Sequence, residues 1–284
     1  MTRYEEAFER CAAENRGALV PFAMLADPTP EACLEIVDAL VAAGADALEL
    51  GLPFSDPAAD GPVIQSAHIR ALAAGGRAAE CFDLLAQLRA RHPRLPIGLL
   101  TYATLTYSLG VERFYRRCAQ VGVDSVLVAD VPLRESARFE AASLASGVDM
   151  VCIAPPRAQP ALLAQVASKA RGYVYAVSRV GVTGADSAAG TGTELSQTLA
   201  GLREHSNTPI LLGFGISQPE HVRAAISAGA DGVICGSAIV RLIAGYEELL
   251  RQGAEPAAAL AAVCEQVGQF FSSLRAATSR VGEQ

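Results

Sequence analysis

The sequence predicts a (β/α)8 TIM barrel with an extra N-terminal helix and an extra C-terminal helix. Three observations carry this reading. The first is an internal repeat: "AGADALELG" (43–51), "VGVDSVLVAD" (121–130) and "AGADGVICGS" (228–237) each place a glycine at a helix end, an aspartate two residues later, and then a short apolar strand. The second is the character of the strands, which are continuous apolar runs, as parallel strands covered on both faces must be. The third is length, because 284 residues suit a barrel of roughly 250 with additions at its ends. A doubly wound open sheet is the alternative.

Taken in order, "RYEEAFERCAAEN" (3–15) reads as a helix ahead of the barrel and "ALVPFAML" (18–25) as its first strand. "EACLEIVDALVAA" has helical spacing and stops at Gly44, where a left-handed residue is least costly, before the strand "ALELG". The helix "AAECFDLLAQLRARH" leads to the strand "PIGLLTY", and "VERFYRRCAQV" to the second repeat strand. Next come "ESARFEAASLAS" before "DMVCIAP", "PALLAQVASKA" before "YVYAVS", then "PILLGFG", and "PEHVRAAISA" before the third repeat strand. "PAAALAAVCEQVGQFFSSL" is a late additional helix. No linker-like break intervenes, so residues 1–284 are expected to form one domain: an N-terminal helix in 1–16, a core over 17–240 and C-terminal helices over 241–284.

Composition narrows the function. Apolar residues make up 51% and charged ones 19%, enough for a large core, yet no apolar run reaches the roughly 18 residues of a membrane span. The acidic, amphipathic start lacks the features of a secretory signal, so a soluble cytoplasmic protein is expected. A net charge of −7 without a basic cluster argues against nucleic acid. Seven scattered cysteines with no C-x-x-C pair read as small buried hydrophobes rather than disulfides or metal ligands.

Aligned on their glycines, the repeats put Glu49 in register with Leu127 and Ile234, pointing toward the C-terminal mouth where barrels hold catalysis. A carboxylate there must be paired, hydrated or protonated, unless it merely reaches solvent at the strand end. The only lysine, Lys169, falls in a predicted helix, which removes a strand-borne Schiff base. His68, His92, His205 and His221 fall in helices or at their ends without metal-ligand spacing, and each reads as a surface or helix-end residue. "GFGIS" (213–217) and "CGSAIV" (235–240), the latter opening a short helix, offer backbone N–H groups and the Ser237 hydroxyl to a phosphate. "SRVGVTGADSAAGTGTEL" (178–195) reads as a lid or as a merely loose loop, with Thr183 and Gly184 near the mouth and Tyr175 on the strand before it.

These segments resemble the tryptophan synthase alpha-subunit family nearly end to end. "VPFAMLADP", "GADALELGLPFSDPAADGP", "VGVDSVLVADVP", "SRVGVTG", "GFGIS" and "GSAIV" carry the likeness, the second most specifically. The resemblance implies cleavage of indole-3-glycerol phosphate to indole and glyceraldehyde 3-phosphate without a metal. It implies that Glu49 is the acid–base catalyst, Asp60 its partner near the indole N–H, and Tyr175 a neighbour of Glu49. It further implies an apolar slot of Phe22, Leu100, Leu127, Ile153, Phe214 and Ile234, a lid threonine at Thr183 that orients Asp60, and a phosphate site at Gly184, Gly215, Gly236 and Ser237. Pro53, Asp56 and Pro57 would meet a beta subunit in an alpha2-beta2 heterotetramer, and pyridoxal phosphate would belong to that partner, with no cofactor in this chain. A stand-alone lyase that releases free indole, a noncatalytic phosphate-binding barrel and a phosphosugar isomerase remain the other readings.

Overall fold

A computed structural model describes residues 1–177, 192–213 and 215–280, and its strands wind into one parallel sheet that curls back on itself. The strands are β1 (Ala18–Met24), β2 (Leu48–Gly51), β3 (Ile97–Thr101), β4 (Ser125–Val128), β5 (Asp149–Met150), β6 (Cys152–Ala154), β7 (Val174–Val177), β8 (Ile210–Gly213) and β9 (Gly232–Cys235). Their order is β5-β4-β3-β2-β1-β9-β8-β7-β6. The two ends of that order, β5 and β6, are consecutive pieces of one strand interrupted at Val151, whose N–H still donates to the Val126 carbonyl at 3.0 Å. The barrel is therefore nearly closed, with its fifth stave in two parts. The open-sheet alternative falls away.

Helices surround the sheet: α1 (Arg3–Ala13), α2 (Pro30–Ala42), α3 (Pro62–Ala73), α4 (Ala78–Arg91), α5 (Ala103–Leu109), α6 (Val111–Gln120), α7 (Ala137–Ser146), α8 (Pro160–Lys169), α9 (Gly192–Arg203), α10 (Pro219–Ser227), α11 (Ser237–Arg251) and α12 (Pro256–Arg275). Two expectations need correction. The helix after the last strand is not short: α11 runs 15 residues, because apolar Ile239, Val240, Ile243 and Tyr246 keep a buried stripe going. Residues 192–195, expected in the lid, already belong to α9. The rest of the expected lid, residues 178–191, lies outside the described residues.

The aspartate of the repeat has a structural task at the barrel's N-terminal end. Each accepts an N–H at the start of the preceding strand: Asp46 from Leu19 at 3.0 Å, Asp124 from Ile97 at 2.7 Å and Asp231 from Ile210 at 2.7 Å. Each is also met by arginines. Arg16 grips both oxygens of Asp46 at 2.7 and 2.9 Å with Arg275 at 2.9 Å; Arg3 and Arg89 reach Asp124; Arg203 and Arg280 reach Asp231. Helix α1, held by a capping box between Thr2 and Glu5, closes the same end by burying Tyr4 against Ser125 (2.8 Å between hydroxyls) and the Tyr173 ring.

Candidate active site

The opposite end of the barrel gathers a different set of groups. A narrow cavity of about 40 Å³ is lined by Phe22, Glu49, Asp60, Ile64, Leu100, Tyr175, Gly215, Ile216, Ile234, Gly236 and Ser237. Strand β1 supplies Phe22, paired in register with Glu49 of β2, so the apolar ring and the carboxylate sit on neighbouring staves at one height. Tyr175 comes from β7, and its ring packs so closely on Gly213 that a Cβ there would stand 2.1 Å from the phenol. Glycine at the end of β8 is what lets this tyrosine turn inward.

Glu49 is 2% exposed and accepts a hydrogen bond from the Tyr173 hydroxyl at 2.7 Å. Burial pushes its carboxyl up to about 7; the Tyr173 bond works against that rise, and the charge of Asp60 adds to it. A carboxyl in that range exchanges a proton in either direction near neutral pH. The phenols of Tyr173 and Tyr175 are held well above their ordinary range, chiefly by burial, so both remain neutral. Tyr173 thus donates to Glu49, and Tyr175, which the resemblance set beside Glu49, lines the same cavity.

Asp60 is 8% exposed and sits at the end of the loop that leaves β2. The Tyr102 hydroxyl donates to its Oδ2 at 2.7 Å, and His68 Nε2 lies 3.1 Å from the same oxygen. His68 is therefore no surface residue. It is 1% exposed, because it falls in the buried stripe of α3 with Ile64, Ala67 and Ala71. That spacing was available in the sequence, as was the position of Tyr173 two residues before Tyr175 on the same face. Tyr102, at the end of "PIGLLTY", carried no such signal.

Of the phosphate candidates, Gly215, Gly236 and Ser237 line the same cavity. Gly215 has φ +78°, a left-handed conformation natural to glycine, and Gly236 is the N-cap of α11 without a side-chain capping bond. Ser237 is the first residue of this 15-residue helix, and the first-turn N–H groups of such a helix suit an anion. Cys235, buried just before them, directs its thiol to the Ile216 carbonyl at 3.2 Å and ties the ends of β8 and β9 together.

Not every expected residue joins this cavity. Leu127 is buried one strand beyond Leu100 but does not line it. Ile153 lines a separate, larger cavity of about 530 Å³ beside Val128, Phe139 and Leu162, which holds no buried carboxylate. Thr183, Gly184 and Phe214 lie outside the described residues. Pro53 is buried within this chain and offers no free surface, whereas Asp56 is exposed and Pro57 half-buried. Lys169 ends α8 in an ion pair with Glu140 at 2.5 Å, remote from this cavity's lining. All seven cysteines are free thiols. No group of side chains suited to a metal occurs among the described residues, and none of their helices is long and apolar enough to cross a membrane.

Comparison with known proteins bears on the family and the fold. The family model described as "Tryptophan synthase alpha chain" matches residues 8–270. The tryptophan synthase alpha chain of Vibrio vulnificus (strain YJ016) is 52% identical over 280 residues, covering 99% of this chain and 100% of its own. That of Shewanella oneidensis is 52% identical over 277 residues, covering 98% and 95%. Among solved structures, the tryptophan synthase alpha chain from Legionella pneumophila superposes with a TM-score of 0.82 at 28% identity, covering 100% of both chains. A chain of the tryptophan synthase a2b2 complex from Pyrococcus furiosus gives 0.76 at 30% identity, covering 92% of this chain and 99% of its own.

Proposed function

This chain belongs to the tryptophan synthase alpha chain family, a family of lyases, and from that premise we propose the parts its residues take in cleaving indole-3-glycerol phosphate to indole and glyceraldehyde 3-phosphate. The observation that carries the reading is the buried carboxyl of Glu49, raised to about 7, across one cavity from Asp60 and from the free helix end at Gly236 and Ser237.

In this reading Glu49 delivers a proton to C3 of the indole ring. It also takes the proton of the hydroxyl on the adjoining glycerol carbon. The bond between them breaks, its electron pair restores the indole ring, and the hydroxyl oxygen becomes the aldehyde carbonyl. One group serves both transfers because its two protonation states are close in free energy at neutral pH. Positive charge grows on the indole nitrogen as C3 is protonated, and the Asp60 carboxylate stabilises it as a preoriented anion. Phe22, Leu100 and Ile234 cover the ring, Tyr175 closes the side near Glu49, and Gly215, Gly236 and Ser237 hold the phosphate; Thr183, Gly184 and Phe214 complete the set. Residues 1–284 act as one catalytic domain.

A tryptophan synthase alpha chain works with a beta partner. The finer reading is an alpha2-beta2 assembly in which the loop bearing the exposed Asp56 and the half-buried Pro57 meets the beta subunit, which receives indole and carries the pyridoxal phosphate. Seven free thiols fit a cytoplasmic setting. The test is indole release from indole-3-glycerol phosphate by the purified chain, with and without a beta subunit, in parent and Glu49→Gln. The chain has no tryptophan, so indole fluorescence is read without background from the protein. Equal rates in parent and variant would overturn the proton-transfer role; full activity without the beta subunit would favour a lyase that acts alone.

A further inference from the structure

We infer that His68 is a positioning residue for this reaction: anchored by the backbone of Phe54, it presents an N–H to Asp60 and so fixes the loop that carries that carboxylate. The inference rests on the part given to Asp60 above. Its geometry is independent of it.

The Phe54 N–H donates to His68 Nδ1 at 3.0 Å, and His68 Nε2 lies 3.1 Å from Asp60 Oδ2. A ring nitrogen that accepts carries no proton, so the proton of the neutral imidazole sits on Nε2 and is donated to the carboxylate. One ring therefore grips the loop after β2 near both ends, at Phe54 and at Asp60. Tyr102 reinforces the grip. Its hydroxyl donates to the same Oδ2, accepts the Ala59 N–H at 3.2 Å, and its ring lies 5.2 Å from that of Phe54. Gln65, on the same helix as His68, holds the Asp60 carbonyl at 2.8 Å.

The identity of the donors matters to the chemistry. An arginine would orient Asp60 but also cancel the charge it presents to the indole nitrogen. A neutral imidazole and a phenol orient the carboxylate and leave its charge in place. Among the described residues no arginine or lysine pairs with Asp60. The nearby Arg70 is occupied by Asp27, which it binds through Nε and Nη2 at 2.8 Å each.

Three substitutions divide the contacts. Asparagine keeps an acceptor near the Nδ1 position, glutamine keeps a donor near the Nε2 position, and leucine keeps neither. With Asp60→Asn as the reference, expected to lose on the order of 10²–10³ in kcat, His68→Asn and His68→Leu should lose about ten- to a hundredfold in kcat, with KM for indole-3-glycerol phosphate changed by less than about twofold. His68→Gln should restore most of the rate. Full activity in His68→Asn, or a KM rise in place of the kcat loss, while Asp60→Asn stays impaired would overturn this inference and leave the proposed function standing. Full activity in Asp60→Asn would instead overturn the part given to Asp60. Nitrogen-15 NMR of the parent chain supplies a readout that does not depend on turnover: His68 should be protonated at Nε2 and bare at Nδ1, and the opposite tautomer would refute the arrangement.

Discussion

The two ends of this barrel handle carboxylates in opposite ways. At the N-terminal end, Asp46, Asp124 and Asp231 each meet arginine and a strand N–H, so their charge is fully matched. At the C-terminal end, Glu49 meets a tyrosine hydroxyl and Asp60 a tyrosine and an imidazole. Matched charge holds a fold together but leaves nothing over for a substrate. Neutral donors orient a carboxylate while its proton affinity stays open to burial, which lifts Glu49 to about 7. Stability thus falls to one rim and, in the proposed function, reactivity to the other.

The largest expected effect breaks the reactive rim. Glu49→Gln should reduce indole release by about 10³-fold or more, since the proposed function routes both proton transfers through this one group. The same change should stabilise the fold, and the sign follows from linkage. The carboxyl has its ordinary value of 4.5 when unfolded and about 7 when folded, so the folded protein binds the extra proton between those values. Its burial costs nothing below about pH 4.5, costs progressively more up to about pH 7, and is constant above, by about 3 kcal/mol at most. Melting curves should show the variant more stable than the parent at pH 8 and indistinguishable from it at pH 4. A variant destabilised at pH 8 would contradict the burial argument.

The matching experiment at the other rim should give the reverse pattern. Asp46→Ala takes from Arg16, itself 7% exposed, both bonds to its buried partner and leaves it the half-exposed Glu14 as its carboxylate. Breaking a buried pair on one side costs on the order of 3–5 kcal/mol. Denaturant unfolding should show that loss, whereas kcat of the folded fraction should stay within about twofold of the parent. A catalytic defect of the size seen in Glu49→Gln would mean that the two rims are not separate in function.

Tyr173 sharpens the comparison on a smaller scale. Its hydroxyl stabilises the Glu49 carboxylate and holds the carboxyl below where burial alone would put it. The proposed role of Glu49 gives the rate profile an inflection near pH 7, and Tyr173→Phe, which removes that donor, should move it upward by about one unit or less. A downward shift would require a different cause for the position of Glu49.

How much of this was legible in the sequence follows the same division. The barrel could be read from the repeat because glycine at a helix end, aspartate and apolar strand are local features, and the described strands fall where the apolar runs predicted. The repeat's aspartate was visible, yet its use was hidden: its arginines come from positions as distant as Arg3, Arg16 and Arg275. Glu49 stood out because a charge in an apolar strand is an exception. His68 did not, because a helical histidine looks ordinary until the buried stripe of α3 is traced. Tyr173 and Tyr175 shared a face, but only the fold distinguishes the one that donates to Glu49 from the one that lines the cavity. Leu127 and Ile153 show the limit of such reading: Leu127 holds the same place in the repeat as Glu49 and Ile234 yet does not line their cavity, and Ile153 lines another.

The smallest expected effect tests whether burial, rather than the repeat itself, sets the worth of the N-terminal pairs. Asp231 repeats the design of Asp46 but in a wetter place, with side-chain exposures of 23% for the aspartate and 34% for Arg203 against 3% and 8% for Asp46 and Arg16. Asp231→Asn keeps an acceptor for the Ile210 N–H and removes only the charge. Solvent screens such a pair, so the loss should be about 1 kcal/mol at low salt and smaller still in 1 M sodium chloride, where the Debye length falls to about 3 Å. Paired melting curves at the two salt concentrations check this. If Asp231→Asn, which keeps the strand N–H bond, cost as much as Asp46→Ala, and equally at both, the charge would count as much in the wetter copy as in the buried one, and burial would not set the worth of these pairs.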